Sequence, residues 1–202
     1  MRVFLGVTGA SGAPYAERLL GALTSVECEI GLTASSSGIQ VLATELYGDP
    51  SLTREEVLER FVATATDQVT VYGESDFSSP YASGSAQVDA YVVCPCSMAT
   101  VGTLAVGAMS NLIHRAASVA LKERRKLVLV PRETPLSSIH LRGLATLNEA
   151  GAVILFAAPG FYHGPQSIDD LVDFVVARCL DQIGIENALI ERWGEIRAGA
   201  RS

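Results

Sequence analysis

Short apolar runs alternate along the chain with longer segments whose apolar positions recur at helical spacing. The runs lie near residues 2–7, 28–33, 68–72, 89–94, 127–131 and 152–156. Most are nearly continuous in Val, Ile, Leu and Ala, as expected of strands covered on both faces. The amphipathic segments lie near 13–24, 36–47, 54–63, 97–106, 111–123, 138–149 and 168–182. Strand and helix taking turns in this way predict an α/β domain of the flavodoxin-like or Rossmann-like kind, a doubly wound parallel sheet between two helical layers. Thr53 to Glu56 has capping-box spacing, as do Ser167 and Asp170, and Gly151 is placed to end the helix before the last strand. No repeat, low-complexity tract or linker interrupts the pattern, so one domain is expected over 1–202, with the tail from about 183 to 202 packing on a neighbouring subunit.

Ligands of a wound sheet bind beyond the carboxyl ends of its strands. Gly9-Ala10-Ser11 follows the first strand, Thr33 to Ser37 the second, and Pro95 to Thr100 the fourth. Pro131-Arg132-Glu133-Thr134-Pro135 follows the fifth, and Pro159 to His163 the sixth. Hydroxyls, glycines and an arginine at these edges suit a phosphate and the polar edge of a heterocycle. The first loop opens a helix directly, and a helix N-terminus attracts anions through its unpaired N–H groups and its dipole.

The 202 residues carry a net charge of -7, and their longest basic cluster is Lys122-Glu123-Arg124-Arg125-Lys126, which gives no nucleic-acid footprint. Hydrophobic residues make up 49% of the chain, yet no apolar segment is long enough to span a bilayer, and the first residues form no signal peptide. A cytoplasmic protein is expected. The four cysteines, Cys28, Cys94, Cys96 and Cys179, are scattered in apolar surroundings, and the three histidines are not clustered, so neither disulfides nor a metal site is expected.

A dinucleotide site would ask for G-x-G-x-x-G and an acid at the end of the second strand. Here the glycines are Gly9 and Gly12 with Tyr15 in the third place; the second strand ends in hydroxyls, and Glu27 and Glu29 lie at its beginning. No tyrosine is followed four residues later by lysine, and no Gly-Lys-Ser/Thr occurs. These absences leave a mononucleotide, with FMN the natural candidate.

Several stretches are distinctive: GVTGASGAPYAERLL ending at Leu20, ATE at 43–45, PYASGS at 80–85, CPCSMAT at 94–100, NLIHRAASVALKERRKLVLVPRETPLSSIHL at 111–141 and PGFYHGPQSIDDLVDFVVAR at 159–178. On these the chain closely resembles the UbiX-type flavin prenyltransferases, formerly described as aromatic-acid or 3-polyprenyl-4-hydroxybenzoate decarboxylases. The resemblance implies transfer of a dimethylallyl group from dimethylallyl monophosphate to N5 and C6 of reduced FMN. The product would be prenylated FMN for a UbiD-type decarboxylase. It also implies a homo-oligomer, a dodecamer with active sites at subunit contacts.

Carried over position by position, the resemblance implies FMN binding by Gly9, Ala10, Ser11, Ser35, Ser97, Met98, Ala99, Thr100 and Arg132. It implies that Arg115, Lys122, Tyr162 and Arg178 grip the prenyl phosphate and that Glu133 bonds or protonates the departing phosphate. Ser11 and Glu45 would handle protons at the flavin, with Ser11 where flavin and prenyl phosphate meet, and Tyr162 and Trp193 would offer π faces to an allylic cation. Taken one at a time, Arg115 and Lys122 suit a solvated helix face, Glu45 an ordinary helix carboxylate, and Trp193 a tail anchor. Asp169-Asp170-Leu171-Val172-Asp173 spells the D-D-x-x-D of magnesium-dependent prenyl diphosphate enzymes, but its position at a helix start favours capping over metal binding.

The chain departs from the common pattern at Ser36, where a lysine is frequent, at Phe77, where a tryptophan is frequent, and in a shorter segment from Gly48 to Glu59. Three rival readings stand beside prenyl transfer: a cysteine-peptide decarboxylase, a direct aromatic-acid decarboxylase, and a noncatalytic flavin-binding subunit. The first uses a histidine between the second and fourth strands, and this chain has none before His114. The joint presence of Glu45, Lys122, Glu133 and Arg178 favours chemistry over mere binding.

Overall fold

The computed structural model describes residues 1–26, 28–64 and 67–193; Glu27 lies outside them. Six strands, β1 (Arg2–Val7), β2 (Glu29–Ala34), β3 (Val69–Val71), β4 (Ala90–Cys96), β5 (Lys126–Pro131) and β6 (Val153–Ile154), form one sheet in the order β3-β2-β1-β4-β5-β6. Every pairing is parallel. The chain winds outward in one direction from β1 to β3 and in the other from β4 to β6, so the switch point falls between β1 and β4.

Seven α-helices cover the sheet among the described residues: α1 (Ala13–Thr24), α2 (Ser36–Tyr47), α3 (Arg54–Val62), α4 (Met98–Ala105), α5 (Leu112–Lys122), α6 (Ser138–Glu149) and α7 (Ile168–Ile183). Alternate residues of each strand face opposite layers. Val3, Leu5 and Val7 join Leu19, Leu42, Phe61 and Val176 beneath α1, α2, α3 and α7. Phe4, Tyr91 and Val93 join Leu104, Ile113 and Leu144 beneath α4, α5 and α6. All seven residues of β4 are buried, which explains its unbroken apolar run.

Two glycines set how closely the layers approach. A Cβ on Gly6 would lie 2.9 Å from Ile113 of α5, and one on Gly31 would enter the ring of Tyr81 at 2.0 Å. The expected caps form. Glu56 Oε2 accepts the Thr53 N–H at 2.8 Å, and Ser167 and Asp170 cap α7 reciprocally at 3.0 and 3.1 Å. Gly151 follows α6 at φ 106°.

The edge strands are shorter than the apolar runs that announce them, because each is paired on one side only. β6 keeps a ladder of two residues, and the chain then follows β5 less regularly through Leu155 N to Leu129 O and Ala157 N to Pro131 O.

Candidate functional site

At the switch point the loops after β1 and β4 are joined by one buried hydroxyl. Thr8 Oγ1 donates to Pro95 O at 2.9 Å and accepts from Ser97 N at 2.7 Å, and Thr8 N–H reaches the same Pro95 carbonyl at 3.1 Å. Ser97 caps α4, its Oγ accepting the Thr100 N–H at 3.2 Å and lying 3.1 Å from Thr100 Oγ1. Ser35 caps α2, accepting the Gly38 N–H at 3.0 Å. Both helices therefore aim their first N–H groups at the same crevice, where Gly9, Ala10, Ser11, Ser35, Ser97, Met98, Ala99 and Thr100 gather. Arg132 closes it from the β5 side, its Nε donating to Ser11 O at 3.1 Å.

The approach of α2 depends on glycine. A Cβ on Gly38 would lie 2.4 Å from Val7 O, and one on Gly9 would lie 2.3 Å from the Ser37 Cβ. Gly12, at φ 138°, precedes α1 and has no side chain to cap it. The anion at that N-terminus comes from the chain itself. Glu45 Oε2 accepts from both Gly12 N and Ala13 N at 2.8 Å. This changes the expectation drawn from the loop alone, since the N–H groups that would attract a phosphate already hold a carboxylate, and Glu45 is thereby fixed at the edge of the crevice. Glu133, half-buried beside Arg132, accepts from Thr134 N at 3.1 Å.

A second group forms on the α5 side. Arg115 Nε donates to Ala82 O at 2.8 Å and Arg125 Nη2 to Gly84 O at 2.7 Å, so two arginines pin the PYASGS loop. Lys122 pairs with Glu123 against Gly84. Lys122 ends α5 just before β5 begins, whereas Glu133 follows the end of β5. Six strand residues separate those levels, roughly 20 Å at about 3.3 Å per residue. Within one chain, Lys122 and Glu133 are thus beyond opposite ends of β5.

A third group is aromatic. Tyr162 meets Trp193 edge-to-face at 5.1 Å and Phe174 of α7 at 5.7 Å, and His163 stacks on Phe174 at 5.4 Å. Arg178, on the same helix as Phe174, bonds Asp181 at 2.9 Å. Two of the three D-D-x-x-D carboxylates are otherwise engaged: Asp170 caps α7, and Asp173 forms a two-point pair with Arg18. Among the described residues no cluster of His, Cys, Asp or Glu is placed to hold a metal.

Burial pushes the thiols of Cys96 and Cys179 up to about 12 and that of Cys94 well above its ordinary value, which favours the protonated thiol at all three. Burial also lowers the His114 imidazole, which faces Ser110 Oγ at 3.0 Å.

The flavoprotein family model matches residues 1–180. Flavin prenyltransferase UbiX of Pseudomonas aeruginosa is 51% identical over 198 residues, covering 96% of this chain and 94% of that protein. The chain belongs to the UbiX family. Among solved structures, a dodecameric FMN-dependent UbiX-like decarboxylase from Escherichia coli superposes with a TM-score of 0.84 at 39% identity, covering 96% of this chain and 99% of that one. AnUbiX (PadA1), solved with FMN and dimethylallyl pyrophosphate, gives the same score and identity over 96% and 97%.

Two departures from the common UbiX pattern have defined surroundings here. Ser36 Oγ donates to Glu74 at 2.6 Å, and Arg54 spans Glu74 at 3.3 Å and Ala34 O at 2.9 Å, so a cation stands at the start of α2 although residue 36 is neutral. Phe77 is 52% exposed. Reading the sequence missed Thr8, whose only signal is a hydroxyl residue directly after an apolar strand. It also missed Arg125, which the basic cluster disguises as a solvated face.

Proposed function

We propose that this chain prenylates reduced FMN, taking the dimethylallyl group from dimethylallyl monophosphate. The observation that carries the reading is the crevice between β1 and β4, where hydroxyls and helix N–H groups converge under Arg132 in a chain of the UbiX family. That donor set fits a flavin mononucleotide, whose phosphate and ring carbonyls would take N–H and O–H donors. When bound, reduced FMN supplies the nucleophilic N5 and C6.

The protein's own groups would do the rest. Gly9, Ala10, Ser11, Ser35, Ser97 to Thr100 and Arg132 hold the flavin. Arg115, Lys122, Tyr162 and Arg178 bind the prenyl phosphate and stabilise the charge that grows as the allylic C–O bond breaks. Glu133 delivers a proton to the departing phosphate, and Tyr162 and Trp193 cover the carbon skeleton against water. Glu45 and Ser11 move protons at the ring, and the amide bonds from Gly12 and Ala13 hold the Glu45 side chain in place.

The separation of Lys122 from Glu133 supports an active centre completed by other copies of the chain, in a dodecamer whose subunit contacts include the tail from about 183 to 202. Residues 194–202 of that tail lie outside the described ones. Prenylated FMN would pass to a UbiD-type decarboxylase. A cytoplasmic setting is supported by four free, buried cysteines. No helix among the described residues is long and apolar enough to cross a membrane.

Release of inorganic phosphate from dimethylallyl monophosphate tests the proposal. Release should require reduced FMN and stop with oxidised FMN; release without flavin, or none with reduced flavin, would contradict it.

A further inference from the structure

We propose that Asp181 is a positioning residue for the prenyl end of the site, holding Trp193 against Tyr162 and steering Arg178. The inference rests on the roles given above to Tyr162, Trp193 and Arg178, and adds what orients them.

Phe174, Arg178 and Asp181 stand at i, i+4 and i+7 on α7, so the three side chains form one stripe along the helix. Phe174 and Arg178 also line a groove of about 260 Å³ with Ile154, Phe156 and Gln182. Each member of the stripe holds a different part of the site. Phe174 carries Tyr162 at 5.7 Å. Asp181 accepts from Arg178 Nη1 at 2.9 Å.

The same carboxylate captures the chain after α7. Gly184, at φ 84°, turns it back, and Asn187 Nδ2 donates to Asp181 Oδ1 at 3.1 Å. Arg192 then closes a fork on Asp181, Nη1 to Oδ2 at 2.6 Å and Nη2 to Oδ1 at 2.8 Å. A two-point guanidinium–carboxylate pair fixes direction as well as distance. The next residue is Trp193, seated edge-to-face on Tyr162 at 5.1 Å and 89°. Both rings are therefore referred to one helix, Tyr162 through Phe174 and Trp193 through the Asp181 fork.

The charges suit this arrangement. Two arginines share one carboxylate. Arg178 spends one of its donors on Asp181, and a guanidinium has five. It can turn others to a phosphate while Arg192 stays locked.

Trp193 is the chain's only tryptophan, so its fluorescence reports on the fork directly. The full-length protein should be compared with Asp181→Ala, Asp181→Asn and a control, Glu186→Gln, in the same segment. Asp181→Ala is expected to lower the Trp193 anisotropy and raise acrylamide quenching about twofold, and Asp181→Asn to fall between, because a two-point charge-assisted pair becomes a weaker neutral contact. The KM for dimethylallyl monophosphate should rise about tenfold and kcat fall, with FMN affinity unchanged, since the altered contacts lie with the prenyl substrate. The control should match the wild type in every readout. Unchanged Trp193 fluorescence in Asp181→Ala would overturn the inference. So would altered fluorescence with normal KM and kcat, or a matching loss of FMN affinity. A wild-type protein that transfers no prenyl group would instead overturn the functional reading, while the fluorescence comparison would still decide whether Asp181 anchors Trp193.

Discussion

Thr8 is 2% exposed and has its hydroxyl shared between the loops after β1 and β4. Thr8→Val keeps the shape and leaves Ser97 N without its partner, while Pro95 O keeps only the backbone N–H of residue 8. Leaving buried polar groups unpaired costs about 1–3 kcal/mol. Urea unfolding should show a loss of that size, together with weaker FMN binding as the Ser97 loop shifts; unchanged stability would mean that the bridge is replaceable. On the proposed role of Glu133 as proton donor to the departing phosphate, Glu133→Gln should bind FMN normally and transfer about 100-fold more slowly, in line with general acid catalysis. Stopped-flow rates beside flavin titrations separate the two effects. His114 gives the pH dependence. Burial lowers its pKa from the ordinary 6.5, so the unfolded chain takes up the proton first and stability falls as pH drops below about 6.5. The free energy of unfolding at pH 7.5 and 5.5 should differ less in His114→Gln than in the wild type.

At the scale of elements, the strands and helices were legible because each depends on near-neighbour pattern: unbroken apolar runs for β4 and β5, helical spacing for α1 and α5, and cap residues at α3 and α7. The lengths of β3 and β6 were not, since they depend on having one neighbour in the sheet. Close packing of α2 on β1 was hidden as well, because nothing in the sequence marks Gly38 as a point of contact between helix and strand. A Cβ there would lie 2.4 Å from Val7 O, so only glycine lets the helix start this close to β1. Gly38→Ala should therefore cost about 1–3 kcal/mol through overpacking, against the small gain an alanine brings to an ordinary helix. Thermal unfolding would reveal the sign, and a rise in Tm would contradict the packing argument.

Over the whole molecule, the proposed flavin residues could be placed from the chain because each of them follows a strand, and a wound sheet brings strand ends together. Glu45 was the exception in kind: its place in the sequence gave no hint that it would cap α1. The prenyl half was legible only as a set of motifs. Arg115 holds one loop on the α5 side with Lys122 paired to Glu123 beside it, Arg178 lies on α7 and Trp193 packs on Tyr162 next to that helix, and Glu133 stands at the far end of β5. No period or spacing reveals such a division, because it depends on long-range packing. Under the proposed function it would make association of copies part of the chemistry. The measurement that reaches the central claim most directly is the mass of the flavin after anaerobic incubation of the protein with reduced FMN and dimethylallyl monophosphate. The account predicts a flavin heavier by one C5H8 unit, formed by the wild type and far more slowly by Glu133→Gln. Flavin recovered at its original mass from the wild type, in repeated trials with FMN bound, would contradict it.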